Sequence, residues 1–209
     1  MRVAKEGLRF ILGAVGLAVL FGILGLGVLA VLFLLLAGAF AFFFRDPDRV
    51  PPPGDGLVVS PADGEVLSID DVPATPGLAG SAKKVTIFLS LYDVHLVRAP
   101  LAGAVVRADY HPGKFLPAYK PEAGEHNESQ TLVFQGGPAD LLLKMIVGVA
   151  ARRIKAFVKA GDAVERGEKI GLMYFGSRVE LTLPAKVAVK AALHDKVKAG
   201  ETVIGEVQP

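Results

Sequence analysis

Hydroxyl, carboxylate and imidazole groups are the side chains that nucleophilic and acid–base chemistry use. In this chain they collect in three short stretches: Ser60-Pro61-Ala62-Asp63-Gly64, Asp93-Val94-His95 running on to Arg98-Ala99-Pro100, and Phe175-Gly176-Ser177-Arg178. Taken singly, each has an ordinary structural reading. The first is an Asp-Gly turn, the second a histidine closing an apolar strand, the third a bulge or hairpin corner between strands. Residue types exclude other chemistries. His95, His111, His126 and His194 lack the spacing of a zinc motif, and the chain has no cysteine to complete one, to form a disulfide or to act as a thiolate. It has no glycine-rich phosphate loop and no G-x-S-x-G elbow.

The elements that must position these stretches begin with an apolar segment. From Phe10 to Phe44 there is no charged residue. A single helix over that run would be about 52 Å long, against a hydrocarbon core of about 30 Å. Gly22, Gly25 and Gly27 lie near its middle and predict a turn, hence a helical hairpin. Arg2, Lys5 and Arg9 precede the run and Arg45 and Arg49 follow it, which places both ends on the cytoplasmic side of the cell membrane. A signal h-region is about 7–15 residues, so the run reads as a permanent anchor over residues 1–45. The net charge of +2 is carried by Arg2, Lys5 and Arg9 against Glu6. The remaining body is neutral, which argues against nucleic acid as a partner.

Pro51-Pro52-Pro53-Gly54 reads as a stiff linker into the body, residues 46–209. There, Val, Ile, Leu and Phe cluster at 57–60, 65–69, 85–91, 104–110, 131–135, 141–147, 154–158, 170–175, 179–183 and 187–191, separated by turn signals. The predicted fold is mainly β, a compact barrel-sandwich-like domain behind the α-helical anchor. A weak repeat relates Val158-Lys159-Ala160-Gly161-Asp162-Ala163-Val164 to Val197-Lys198-Ala199-Gly200-Glu201-Thr202-Val203, each a tight turn entering a strand. It is similar to the quasi-symmetric hammerhead of biotinyl and lipoyl domains. The stretch 111–129 reads as a long loop with apolar tips, either touching acyl chains or acting as a lid.

Together the three stretches, with Asn127-Glu128 between the second and third, stand in the order found in phosphatidylserine decarboxylases, and residues 43–209 resemble the short prokaryotic form of that family. One departure is Ser129, where many members carry Arg. The resemblance implies a self-processing enzyme that converts phosphatidylserine to phosphatidylethanolamine. In it Ser177 attacks the Gly176 carbonyl, the chain parts between Gly176 and Ser177, and Ser177 becomes a covalent pyruvoyl group. That ketone serves as the electron sink that PLP provides elsewhere; neither PLP nor a metal is expected. A serine hydroxyl needs a base near neutral pH. A histidine whose tautomer a carboxylate fixes supplies one, and Asp63, His95 and Ser177 offer that set if the fold brings them together. His95 is also the candidate proton donor to the product α-carbon.

For the lipid phosphate the candidates are Arg98, Lys114, Arg152, Arg153 and Arg178, with Arg98 and Arg178 preferred; Phe115 is the candidate for an apolar contact. Implied partners are phosphatidylserine, the bilayer, the enzyme's own two chains after cleavage (β, 1–176, and α, 177–209) and a second copy in a homodimer. Archaetidylserine decarboxylases, which act on ether lipids, share the motifs. A lipoyl-like carrier would need an exposed Asp-Lys-Ala-type tip, which the 176–186 region lacks. A transport adaptor would need a long helical hairpin within the body, and none is visible.

Overall fold

The computed structural model describes residues 2–73, 78, 80–149 and 153–208. The chain divides into two compact units, Met1–Asp48 and Arg49–Pro209.

In the first unit, α1 (Lys5–Ile23) and α2 (Gly27–Phe43) form an antiparallel hairpin that turns at Leu24–Leu26, where Gly25 adopts φ 72°. Aromatic pairs mark the antiparallel match: Phe21 stacks on Phe33 near the turn, and Phe10 on Phe44 at the open end. The two-residue strands β1 (Arg2–Val3) and β2 (Arg45–Asp46) pair and close that open end. Helix α1 is long and apolar enough to cross a membrane; α2 is apolar but two residues shorter. Leu12, Ile23, Val28 and Leu35 are exposed along the hairpin, so its sides are as apolar as a protein core.

The second unit is mainly β, as the strand pattern predicts. Its strands are β3 (Leu57–Val59), β4 (Gly64–Val72), β5 (Ala82–Leu89), β6 (Leu96–Arg98), β7 (Gly103–His111), β8 (Ser129–Gln135), β9 (Leu141–Val147), β10 (Ile154–Ala156), β11 (Ala163–Val164), β12 (Lys169–Met173), β13 (Ser177–Pro184), β14 (Val187–Val189), β15 (Lys196–Val197) and β16 (Val203–Val207), with one helical turn, α3 (Ala123–His126). A curled eight-stranded antiparallel sheet has the order β11-β7-β8-β9-β13-β5-β4-β15. Two three-stranded sheets, β10-β12-β6 and β14-β16-β3, contribute Val97, Ile170, Met173, Val187 and Ile204 to the core that covers one of its faces. The two halves of the internal repeat form the same turn: Asp162 and Glu201 each donate their N–H to the carbonyl three residues back.

The stretch read as a stiff linker is fastened to the body. Arg166 donates to the carbonyls of Pro52, Gly54 and Leu57.

Strand β13 is central. It pairs along its whole length with β5 on one side and over six residues with β9 on the other, and all eight of its residues are buried. Side chains alternate across a strand. Val179, Leu181 and Leu183 enter the core, and Arg178, Glu180 and Thr182 occupy the opposite face. Nearby, Glu65 on β4 accepts hydrogen bonds from Lys196 and His194, each at 2.8 Å. Lys196 first, then His194, holds the Glu65 carboxyl below the ordinary carboxylate range. A carboxyl depressed in the folded state contributes stability above its unfolded pKa and loses it as pH falls through the folded value. Glu65→Gln is therefore expected to lower the melting temperature slightly at neutral pH and to converge with wild type as pH falls through the carboxylate range, flattening the acid side of a plot of melting temperature against pH, as calorimetry would show.

Candidate active site

Ser177 is the first residue of β13. Its register partners are Leu89, at the end of β5, and Val147, at the end of β9. Its side chain is fully buried, and Oγ has no hydrogen-bond partner among the described residues. An unpaired buried hydroxyl costs about 1–3 kcal/mol, so it calls for an explanation. The two residues before it both have left-handed backbones, Phe175 at φ 48° and Gly176 at φ 70°. That conformation suits glycine, whereas at a bulky residue such as Phe175 it costs on the order of 1–3 kcal/mol. The strain is concentrated on the peptide units that lead into the buried hydroxyl.

His95 meets this turn from β6's side. The Asp93 carboxylate accepts from the backbone N–H and the hydroxyl of Ser90, at 2.8 and 2.6 Å, and so shapes the turn that precedes the ring. Nδ1 of His95 lies 2.9 Å from the Asp93 carbonyl oxygen, and the Gly176 N–H donates to Nε2 at 3.1 Å. A carbonyl only accepts and an amide N–H only donates, so the ring is neutral, with its proton on Nδ1 and its lone pair on Nε2. The histidine is 1% exposed, and that lone pair accepts the N–H of the Phe175–Gly176 peptide, one unit before the peptide that leads into Ser177.

Asp63 stands at the same end of the sheet, one strand beyond β5, since β4 begins at Gly64 and sets Glu65 opposite Phe88. Its Oδ2 accepts from Arg49 at 2.9 Å and its Oδ1 from the Ala199 N–H at 2.7 Å. Arg49 also donates to Glu201 at 2.8 Å. The fold thus brings Asp63 and Ser177 to the same end of the sheet, where His95 meets the turn before Ser177. The Asp93 main-chain carbonyl faces His95 Nδ1, and the Asp63 carboxylate accepts from Arg49 and a backbone amide.

The loop 111–129 is tied down beside this edge. Asn127, 3% exposed, accepts from the Leu116 N–H and donates to the carbonyls of Leu116 and Val147, all at 2.8 Å. Arg178 donates to the Lys120 carbonyl at 3.0 Å and pairs with Glu180. Lys144 donates to the Gly124 carbonyl at 2.7 Å, and Tyr119 meets Phe88 edge-on. Arg178 therefore lies on the face of β13 opposite Ser177 and serves as a strut for the loop. Arg98 is buried and donates to the Gly167 carbonyl at 2.8 Å. Lys114 is exposed and Phe115 half-buried at the base of the loop. Arg153 is exposed, and its carbonyl accepts the Tyr174 N–H two residues before Gly176; Arg152 lies outside the described residues. A groove of ≈ 500 Å³ lined by Lys84, Arg107, His111, Lys144 and Glu180 opens on the face away from the Ser177 side chain.

Sequence reasoning missed Arg49 and Glu201. Arg49 reaches Asp63 across 14 residues and Glu201 across 152, and no local pattern signals either link.

The fold and this edge define a β-rich enzyme with a buried serine at a strained turn. A family model described as "Phosphatidylserine decarboxylase" matches residues 36–205. A phosphatidylserine decarboxylase proenzyme of Zymomonas mobilis is 46% identical over 80% of this chain and 71% of its own length. One from Symbiobacterium thermophilum is 44% identical over 98% and 95%, and one from Desulfotalea psychrophila 36% identical over 98% and 96%. The chain belongs to the phosphatidylserine decarboxylase family.

Arg49→Ala would leave the Asp63 carboxylate nearly buried without its cation, since both side chains are only about a tenth exposed. A loss of about 3 kcal/mol is expected, measured by denaturant unfolding. Asn127→Ala orphans three main-chain groups and is expected to cost about 1–3 kcal/mol.

Proposed function

We propose that this chain decarboxylates phosphatidylserine to phosphatidylethanolamine with a pyruvoyl group that it makes from its own Ser177, by breaking the Gly176–Ser177 peptide bond. The single observation that carries the reading is the unpartnered, fully buried Ser177 hydroxyl, set after two left-handed residues with the His95 lone pair on the Gly176 N–H.

In the self-processing step, His95 Nε2 exchanges the Gly176 N–H for the Ser177 O–H and takes its proton. Oγ bonds to the Gly176 carbonyl carbon, and the carbonyl π pair moves to oxygen. When that pair returns, the C–N bond breaks and the Ser177 nitrogen receives the proton, leaving an ester. Loss of the Ser177 α-proton then breaks the Cβ–Oγ bond. Gly176 leaves as a carboxylate, and the dehydroalanine that remains takes up one water and releases one ammonia. The Phe175–Gly176 backbone supports this direction, because strain at the turn is relieved when the chain parts.

The residues at this edge fit such a group. Once formed, its ketone supplies the electron sink for loss of CO₂ from the substrate's α-carbon. His95 is the candidate to deliver the proton that replaces it. Asp63, charge-balanced by Arg49 and bonded to the Ala199 amide, acts as a positioning residue. Exposed Arg153 and Lys114 are the better-placed cations for the headgroup phosphate, since Arg98 and Arg178 are buried on main-chain carbonyls.

The products would be a chain 1–176 and a chain 177–209 that stay together. Strand β13 is clasped between β5 and β9, while β15–β4, β16–β3, Arg49–Glu201 and Lys196–Glu65 add cross-links. The apolar hairpin would insert in the bilayer with both ends on the cytoplasmic side, holding the body at the surface where its substrate's headgroup lies and raising the effective substrate concentration.

Ser177→Ala is expected to remain one chain on a denaturing gel and to release no CO₂ from phosphatidylserine vesicles. Two chains from that variant would overturn the assignment. His95→Ala should slow self-cleavage by about 10²–10⁴-fold, followed as the rate at which the precursor band disappears.

A further inference from the structure

The two glycines at the cleavage edge are required for opposite reasons. At Gly176 an added Cβ would meet nothing within 4 Å, and the demand there is the left-handed backbone. Gly148 is different. It directly follows Val147, the register partner of Ser177, and its φ lies outside the left-handed region, so any residue could adopt its backbone. Space is what it lacks. A Cβ at Gly148 would lie 2.1 Å from the Gly176 carbonyl oxygen and 3.2 Å from the carbonyl carbon. It would also be 3.3 Å from the Ala118 side chain, which the 111–129 loop presents buried at this spot.

From this close approach we infer that Gly148 is a positioning residue for self-cleavage: its bare Cα seats the carbonyl oxygen of the bond that breaks, and Ala118 bounds the same cradle. The inference rests on the cleavage reading proposed above. When Ser177 Oγ adds to the Gly176 carbon, the C=O becomes a longer C–O⁻ bond and the carbon turns tetrahedral. An oxygen seated against backbone on one side cannot swing there, so the carbonyl face presented to Oγ is fixed before the bond forms. Fixing that face is the orientational part of catalysis. A methyl group at position 148 displaces the oxygen by an ångström or more and turns the face away, although it touches neither the nucleophile nor the base.

The test compares full-length wild type, Gly148→Ala, Ala118→Val and Leu143→Ala, each followed from translation by intact mass and thermal melting. Leu143 is a core residue of β9 remote from the turn, so its truncation lowers stability without reaching the carbonyl. A misplacement of this size is expected to slow chain cleavage about 100-fold in Gly148→Ala, to a smaller degree in Ala118→Val, and not in Leu143→Ala even where its melting temperature falls as far. Hydroxylamine, which cuts esters, should release no fragment from Gly148→Ala, because the block precedes ester formation. Folded Gly148→Ala that cleaves at the wild-type rate overturns the inference. If Gly148→Ala does not fold, cleavage of Ala118→Val at the wild-type rate overturns it instead. A wild type that itself never cleaves would overturn the function reading, a separate and recognisable outcome.

Discussion

The pairing of β13 between β5 and β9 is the constraint on which this edge depends. Ser177 begins that strand, and its register with Leu89 and Val147 fixes where the hydroxyl sits before any side chain is considered. Every residue of β13 is buried, so the strand cannot shift by one position without sending Val179, Leu181 and Leu183 to the polar face and Glu180 into the core. The chain must then reverse immediately before a strand it cannot move. Phe175 and Gly176 absorb that reversal in left-handed conformations. The sheet in effect pulls on the peptide units ahead of Ser177, and His95 accepts the Gly176 N–H of the Phe175–Gly176 peptide.

The same architecture answers how a protein could cut its own centre and stay folded. The cut proposed here falls at the edge of the sheet, where β13 begins, and leaves its ladder intact. Everything after Ser177 remains paired to strands contributed from before it. The charged contacts of Glu65 and Arg49 cross the same seam. Arg49 is the first residue of the body and carries a second role, neutralising Asp63 and Glu201 where the chain enters from the apolar hairpin.

Much of this was legible in the sequence because its signals are local. An uncharged run interrupted by glycines gave the hairpin, alternating β-branched residues gave the longer strands, and the Gly-Asp and Gly-Glu turns gave the repeat. The short strands Leu96–Arg98 and Lys196–Val197 escaped, since two or three residues carry no periodicity. At the site, residue types and chain order singled out Ser177, His95 and Asp63, but their bonding was not legible. The Asp93 carbonyl that sets the His95 tautomer belongs to the main chain, and side-chain patterns do not report main-chain acceptors. Arg49 read as a charge flanking the apolar run, because its carboxylate partners are distant in sequence. Arg98 and Arg178 read as candidates for the lipid phosphate, yet both are buried and donate to main-chain carbonyls, a feature that only tertiary packing reveals. Gly148 gave no signal, since a glycine needed for space resembles any other in a sequence.

The central claim is that Ser177 and the turn before it form a self-cleaving unit that ends as a ketone. Intact mass spectrometry of the purified wild-type protein tests this most directly. The account predicts two chains, one ending in the carboxylate of Gly176 and the other running from position 177 to Pro209, lighter than a serine-started chain by one ammonia. A single unmodified chain that persists after incubation with phosphatidylserine membranes would contradict it.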